Sequence, residues 1–472
     1  MVLLILEISQ KQSYIFSSNV LKDNIKNSAL IAWVTSSDYF QKRCPQEYDE
    51  DSNLVYAGGG HTVLCFDTED AAKAFSGKVT ESLMRDCPDM RVFVKMMNYD
   101  DSITPGENLK KLTSALEVKK SLRQSAFSQG TFGIEKTDMT TFEPIRILTG
   151  GETEVPEQEK RIDRELLPEG FKNVTKFEEL GGDKNSVNFI AVVHIDGNGM
   201  GKRVADLYEK LAEEKVSWDE FRKRIRRFSD GIDGDFKAAF KEMNEQIATM
   251  LKNQGLEDLK LKENVMPIRR IITSGDDICF VSEGRIGIEA SRIFIECLKQ
   301  KVNAEDKKKY NACAGIAIVH VKYPFFRAYE LAEKMCSNAK ARGAKLSPED
   351  NGSSVCSLDW HIEYGELGDT VEEIRENYND ADGDSITARP YVLEGPDVEG
   401  ATKYECFRKM IEMLKKDDAY ARTKIKGLRN VLKKTMKHSD YYLDFNKMSK
   451  FKDCDRAVLF DAIESMDVYL EL

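Results

Sequence analysis

The sequence predicts an α+β chain made of two ferredoxin-like βαββαβ units with helical insertions, followed by a C-terminal helical domain. Three observations carry this. One order of elements occurs twice: strand, glycine-turn hairpin, helix, strand, helix. The 472 residues exceed one ordinary core and call for two or three domains. The last stretch has apolar residues at helical rather than strand spacing.

The first copy opens on the apolar run Val2 to Ile8, broken only by Glu7. A second strand ends in the glycine turn Val55-Tyr56-Ala57-Gly58-Gly59-Gly60-His61 and resumes over Thr62-Val63-Leu64-Cys65-Phe66. A helical pattern from Thr68 to Met84, a strand from Met90 to Met97 and a helix from about Glu107 to Leu122 complete it. The second copy opens on a strand from Asn188 to Ile195. Its hairpin is Arg270-Ile271-Ile272-Thr273, the turn Ser274-Gly275-Asp276-Asp277, then Ile278-Cys279-Phe280-Val281. A helix from Gly287 to Val302, a strand from Ala312 to Val321 and a helix from Phe325 to Arg342 follow. The resulting boundaries are 1–149 for the first unit, 150–186 for a linker without periodicity, and 187–397 for the second unit with a helical insertion at 204–262. Residues 398–472 form the helical domain, with apolar spacing around Met410, Ile411, Leu414, Leu428, Val431 and Leu432. Asp369 to Asp384 is acidic and rich in turn formers.

Composition sets limits on function. Hydrophobic content of 41% is that of a globular protein, while a net charge of −11 argues against gripping duplex nucleic acid over a whole face. A local basic groove remains compatible, and a nucleoside triphosphate needs only a few cations plus metal. No segment approaches the roughly 20 apolar residues that span a bilayer. The opening run lacks a basic start and reads as a strand rather than a signal peptide. Ten cysteines occur with no C-x-x-C pair, so reduced thiols and a cytoplasmic location are expected.

The chemistry-bearing residues lie in the second unit. The strand ending at Ile195 runs into Asp196-Gly197-Asn198-Gly199-Met200-Gly201. An aspartate at a buried strand end projects its carboxylate over the sheet edge, and the glycines let backbone N–H groups approach a phosphate. The hairpin turn supplies Ser274, Gly275, Asp276 and Asp277. If its strands lie beside the first, Asp196, Asp276 and Asp277 meet as catalytic and metal-binding carboxylates for two Mg²⁺ or Mn²⁺ ions, as nucleotidyl transfer requires. Taken alone, D-G-N-G is a good turn and G-D-D a common hairpin turn; both in one repeat unit favour the functional reading. Lys202 and Lys340 are candidate triphosphate cations, as are Lys345, Arg269 and Arg270, though a lysine at a helix end also suits the helix dipole. The equivalent turn in the first copy, Gly58-Gly59-Gly60-His61, has no carboxylate, so that copy is expected to be catalytically dead. Gly59, Gly60 and His61 are candidates for nucleotide contact, with a simple turn histidine as the plainer reading.

These residues carry a resemblance. Asp196-Gly197-Asn198-Gly199-Met200-Gly201 resembles the D-G-D-x-M-G signature of the large polymerase-cyclase subunit of type III CRISPR complexes. Ile271 to Ile278 is similar to that family's G-G-D-D hairpin, and Cys313 to Pro324 to the strand that follows it. Ile386-Thr387-Ala388-Arg389-Pro390-Tyr391 is similar to the end of that palm domain. Gln10 to Phe16 and Gly58-Gly59-Gly60 resemble the family's first, non-catalytic palm, and Ala339-Lys340-Ala341-Arg342-Gly343 the last helix of GGDEF cyclases. The resemblance implies two facing palms with two ATP molecules between them. It implies metal held by Asp196 and Asp277 with Asp276 in support, and pyrophosphate-releasing synthesis of a cyclic oligonucleotide messenger in antiphage defence. That messenger acts on a downstream effector, and guide or target RNA and effector subunits are the implied partners. The departures are specific. The five histidines include no His-Asp dipeptide, so the family's HD nuclease is not expected, and its zinc-binding cysteine pairs are missing. Asn198 stands where the signature has a second aspartate, and Ser274 replaces the first glycine of the turn.

Two rival readings remain. One is a scaffold subunit of an RNA-guided complex, using the basic run Arg222-Lys223-Arg224-Arg226-Arg227 and the helices from Lys409 to Lys437 to hold RNA or a neighbour. A solvated helix face is the plainer explanation of both runs. The other is a template-directed polymerase, which the sequence supports little because no fingers, thumb or extended basic groove is visible.

Overall fold

The computed structural model of the chain describes residues 1–122, 155–181, 188–254, 259, 264–346, 355–364, 370–376, 378–394, 401–416 and 420–472. The first unit begins with β1 (Val2–Ser9) and four helices: α1 (Lys11–Ile15), α2 (Leu21–Val34), α3 (Ser37–Arg43) and α4 (Glu50–Asn53). It continues with β2 (Leu54–Gly58), β3 (His61–Phe66), α5 (Glu69–Asp86), β4 (Arg91–Asn98) and α6 (Pro105–Ser121). Its antiparallel sheet has the order β2-β3-β1-β4. Helix α5 buries Ala72, Phe75, Val79 and Leu83 at helical spacing, and the Thr68 side chain caps it by accepting from the Ala71 N–H.

After α7 (Glu157–Glu165), the second unit runs β5 (Phe189–Gly197), α8 (Met200–Glu213), α9 (Trp218–Gln254), β6 (Ile268–Ser274) and β7 (Asp277–Glu283). Then come α10 (Gly287–Lys299), β8 (Ala312–His320), α11 (Phe325–Lys345), β9 (Cys356–Ile362), α12 (Val371–Glu376) and β10 (Tyr391–Glu394). The sheet order is β10-β9-β8-β5-β7-β6. Its strands β6-β7-β5-β8 repeat the order β2-β3-β1-β4 of the first sheet, so the duplicated fold read from the sequence is present as a duplicated topology. Strands β9 and β10 were not expected. Ser357, Asp359 and His361 interrupt the apolar run of β9, yet all three are buried. Arg375 and Asn338 reach the Asp359 carboxylate at 2.6 and 2.7 Å, and Ser357 donates to the Ala339 carbonyl at 2.7 Å. Buried polar groups with partners cost little, so a buried strand can carry them.

Helix α11 lies directly on β8 because Gly315 has no side chain. A Cβ there would sit 2.0 Å from the Ala332 carbonyl oxygen and 2.1 Å from the Cys336 nitrogen. Gly315→Ala is therefore expected to lower stability by about 3 kcal/mol, the upper end of the overpacking range, since backbone cannot yield as a side-chain tip can. Urea denaturation measures this; an unchanged midpoint would show that α11 shifts freely.

Two expectations about charged residues are corrected. The basic run on α9 is not an open face. Arg222 donates to the carbonyls of Ser52 at 2.5 Å and Asp51 at 3.1 Å, and Arg226 donates to that of Leu54. Arg224 and Arg227 hold Glu305 at 2.5 and 3.0 Å. These arginines staple the inserted helix to both units, and only Lys223 is fully turned to solvent without such a tie. Likewise, the 150–186 stretch contains α7, whose Asp163 and Glu159 bind the buried Arg269 and Arg270 at 2.5–3.0 Å. Those arginines are neutralised within the fold and are not available to a triphosphate.

The C-terminal helices are α13 (Tyr404–Lys416), α14 (Arg422–Leu432), α15 (Met436–Phe445) and α16 (Arg456–Ser465). They bury Met410, Ile411, Leu414, Leu428 and Leu432, whereas Val431 is only half-buried. The segment Thr387 to Tyr391 anchors them. Thr387, the Ala388 N–H, Arg389 and Tyr391 all bond to Asp461 of α16 at 2.8–3.1 Å. Among the described residues, no helix is long and apolar enough to cross a membrane.

Candidate active site

Strand β5 lies between β7 and β8, which fixes what its last residues face. Asp196 is the register partner of Asp277 on β7 and of Cys313 on β8. The Gly197 N–H donates to the Asp276 carbonyl at 3.2 Å. A Cβ on Gly197 would meet the Asp276 Cβ at 2.9 Å, so glycine is required for the turn to approach the strand end. The structure thus gathers Asp196, Asp276 and Asp277 at one sheet edge.

The other candidates divide. Lys340, from α11, pairs with Asp196 Oδ2 at 2.5 Å and donates to the Gly197 carbonyl at 3.0 Å. Gly275 adopts φ 63° in the hairpin turn and its N–H donates to Asp233 Oδ1 of α9 at 3.2 Å. Asn198 does not join the acidic edge: its amide donates to Cys313 Sγ at 3.4 Å and its N–H to the Asn311 carbonyl at 2.7 Å. The N–H groups of Gly197, Asn198 and Gly275 are therefore already used inside the protein. Gly199, at φ 68°, turns the chain into α8, and Gly201 and Lys202 are exposed.

Gly59, Gly60 and His61 of the first unit face the same place. A cavity of about 260 Å³ is lined by Lys11, Gly60 and His61 from the first unit and by Ser274, Asp276 and Asp277 from the second. A second cavity, of about 230 Å³, lies beside the turn and is more apolar, with Tyr56, Met200, Tyr208 and Phe228 in its wall. His61 stands edge-on to Tyr56 at 5.5 Å. Burial, reinforced by the Lys11 charge, pushes its imidazole down to about 4, so it is neutral at physiological pH.

The acidic edge is electrostatically loaded. Burial and then the Asp196 charge push Asp276 up to about 6 and Asp277 up to about 7. The buried Asp277 Oδ1 has no hydrogen-bond partner, nor has His194 Nδ1, which lies 3.5 Å from it. Burial lowers the His194 pKa. His194 lies outside both sequence motifs; its alternation with Asp196 along β5 was the available signal. Among the described residues, no group of three or more His, Cys, Asp or Glu side chains is arranged to hold a metal ion by itself. The donor chemistry nevertheless fits one. Asp277 presents an unpartnered carboxylate oxygen, its charge is disfavoured by the neighbouring Asp196, and a divalent cation relieves both.

Both folded-state pKa values lie above those of the unfolded chain. Their stabilising contribution is complete below about pH 4 and is lost as pH rises through about 6–7. Without divalent cations, Asp277→Asn is expected to match the wild type near pH 4 and to exceed it at pH 8 by on the order of 2 kcal/mol, allowing for solvent screening. Denaturation curves in chelator at the two pH values measure it; equal stabilities at pH 8 would contradict the account.

Comparison with known proteins agrees with this geometry. Residues 189–347 match the family model described as Cas10/Cmr2, second palm domain. This segment is similar to a Cas10 second palm. The matched segment spans β5 to the end of α11 and includes Asp196, Asp276, Asp277 and Lys340. The chain also resembles solved structures across nearly its whole length. Csm1 in T. onnurineus matches at 14% identity and TM-score 0.53, covering 99% of this chain and 69% of that one. A Csm1-Csm4 cassette in complex with cA4 matches at 15% identity and TM-score 0.58, with the same coverage. Another, in complex with cA3, matches at 16% and 0.58. At such identities the likeness to these structures shows the fold. No curated protein matches the chain. The second unit, with its six-stranded sheet, thus contains a segment similar to the second palm of Cas10/Cmr2.

Proposed function

We propose that the chain is a nucleotidyltransferase that joins ATP into a cyclic oligonucleotide messenger in CRISPR-type antiphage defence. The observation that carries this is the cross-strand pairing of Asp196 with Asp277, which lines a cavity shared with the first palm. Csm1-Csm4 cassettes of similar fold are solved in complex with cA3 and cA4, which supports a nucleotide site in this fold. Asp196 and Asp277 would hold Mg²⁺ or Mn²⁺, with Asp276 in support; when bound, the ion supplies charge neutralisation at the reacting phosphate. Lys340 keeps the Asp196 carboxylate and the Gly197 carbonyl in one arrangement. The turn at Gly197 seats Asp276 against the strand end. The first palm supplies part of the cavity wall through Lys11, Gly60 and His61. A 3′-oxygen of one nucleotide attacks the α-phosphorus of another, the bond to the β,γ-phosphates breaks, and pyrophosphate leaves. Repetition and ring closure give the product.

Mass spectrometry of the products from mixed nucleotides with Mg²⁺ or Mn²⁺ tests the reading. Cyclic adenylates with matching pyrophosphate release are expected; unreacted ATP alone would overturn it. A second reading, a subunit that binds nucleotide within an effector complex and turns over little, is favoured by the Csm1-Csm4 cassettes. Co-purification with effector subunits, without product, would favour it. Stapling of the α9 arginines inside the fold leaves the helices from Lys409 to Lys437 as its remaining candidate RNA surface.

A further inference from the structure

We propose that Lys11, carried by the first palm, is the cation that receives the polyphosphate of a nucleoside triphosphate bound at the carboxylates of the second palm. The inference rests on the nucleotidyltransferase reading and deepens it: the palm without carboxylates contributes a binding residue to a composite site.

The cavity between the units is the starting point. Its lining includes two cations, Lys11 and Arg270, together with Asp276 and Asp277. Arg270 is committed to Asp163 and Glu159 of α7. Lys340, at the strand end, is committed to Asp196. Lys11 is different. It is half-buried, and its ammonium donates to the Gly59 carbonyl. Among the described residues no carboxylate lies within ion-pair distance of it. An ammonium has three donors, so Lys11 keeps donors for a ligand in a cavity walled by acids. Its charge also acts on Asp277, which places the two groups on one electrostatic neighbourhood.

The backbone is shaped around this side chain. Gln10, just before it, adopts φ 54° and ψ 41°, a left-handed conformation that costs a non-glycine residue of order 1 kcal/mol and tends to persist at ligand sites. That turn ends β1 and points the chain into α1, of which Lys11 is the first residue. Opposite it, Gly60 sits at φ 75°, and a Cβ there would come within 2.6 Å of Lys11 Cδ. The glycine turn of the first palm thus makes room for the lysine stem. The turn that holds two carboxylates in one palm serves in the other as the seat of a cation.

The acidic edge explains why a cation is needed here. A triphosphate brought to Asp196, Asp276 and Asp277 meets like charge, and a metal ion neutralises only the part it touches. Lys11 lines the same cavity as Asp276 and Asp277 from the other unit and supplies the charge for the phosphates that the metal does not touch.

The test uses the full chain with ATP and Ca²⁺, which supports binding without requiring turnover, and AMP as the probe lacking the β- and γ-phosphates. Lys11→Met keeps the stem and removes the charge; Lys11→Arg keeps the charge. Lys11→Met is expected to weaken ATP binding roughly 10–100-fold, the worth of a charged hydrogen bond. AMP binding should change much less, Lys11→Arg should recover most of the ATP affinity, and the melting temperature should stay within a degree or two. Wild-type ATP affinity in Lys11→Met overturns the proposal, and so does equal loss of ATP and AMP, which would mark a purely structural role. Product synthesis by an Asp276→Ala/Asp277→Ala variant, assayed in parallel, separates the two claims. If that variant is inactive while Lys11→Met binds normally, Lys11 alone is wrong; if it synthesises product at the wild-type rate, the nucleotidyltransferase reading fails and takes the proposal with it.

Discussion

Changing Asp276 and Asp277 together to alanine is expected to lower nucleotide polymerisation by at least about 10³-fold, because metal-assisted charge neutralisation is worth several kcal/mol. The pair occupies the end of β7 and its turn, beside Asp196. Removing both leaves a single carboxylate, already bound by Lys340, and takes away the unpartnered oxygen of Asp277. The fold should survive. Neither side chain anchors the hairpin, whose backbone pairing with β5 and whose Gly275–Asp233 contact do not involve them. Burial makes their charges a burden, so the variant should be as stable as the wild type at pH 8 or more so. Radiolabelled ATP and chromatography of the products measure the rate, and circular dichroism checks the fold. A folded variant with undiminished synthesis would remove the acidic edge from the mechanism.

The largest effect on stability is expected at Arg389, far from that edge. Arg389 is fully buried and binds Glu464 at 2.6 Å, Asp461 at 3.1 Å and the Trp360 carbonyl at 3.0 Å. Both acids are also fully buried. Arg389→Ala leaves two carboxylates in the interior with their main cation gone, a change that costs about 3–5 kcal/mol. Glu464 keeps Arg429 at 2.5 Å, but Asp461 keeps only neutral donors such as Thr387 and Tyr391. The C-terminal helices should loosen first, since α16 carries both acids. Urea denaturation should show an earlier transition, and limited proteolysis should cleave within 401–472. Lys416→Ala, at the exposed pair with Glu412 on α13, should cost less than about 1 kcal/mol. Equal, small effects of the two substitutions would mean that the buried network does not hold the helical domain.

What the sequence disclosed followed from periodicity. The apolar runs of β1 and β5 and the helical spacing of α5, α10 and α11 each report a single face against a single core, which is local information. The glycine turns disclosed the hairpins for the same reason. Strand β9 stayed hidden because Ser357, Asp359 and His361 read as polar, and their partners Arg375 and Asn338 come from elsewhere in the chain. The arginines of α9 and of β6 looked like open cations because charge alone does not tell whether a carboxylate or carbonyl waits across the fold. At the candidate site, the juxtaposition of Asp196 with Asp277 depends on strand order, which the repeat suggested. The orphan atoms of His194 and Asp277, the diversion of Asn198 toward Cys313 and the presence of Lys11 in the shared cavity depend on tertiary packing. No pattern of neighbours along the chain encodes them.

The central claim is that the Asp196–Asp277 edge binds the divalent cation that supports nucleotidyl transfer. Titration of Mn²⁺ into the chain with a non-hydrolysable ATP analogue, followed by electron paramagnetic resonance, tests it most directly. The account predicts saturable Mn²⁺ binding in the wild type that weakens at least about 10-fold in Asp277→Asn. Identical Mn²⁺ titrations for the two proteins would contradict it.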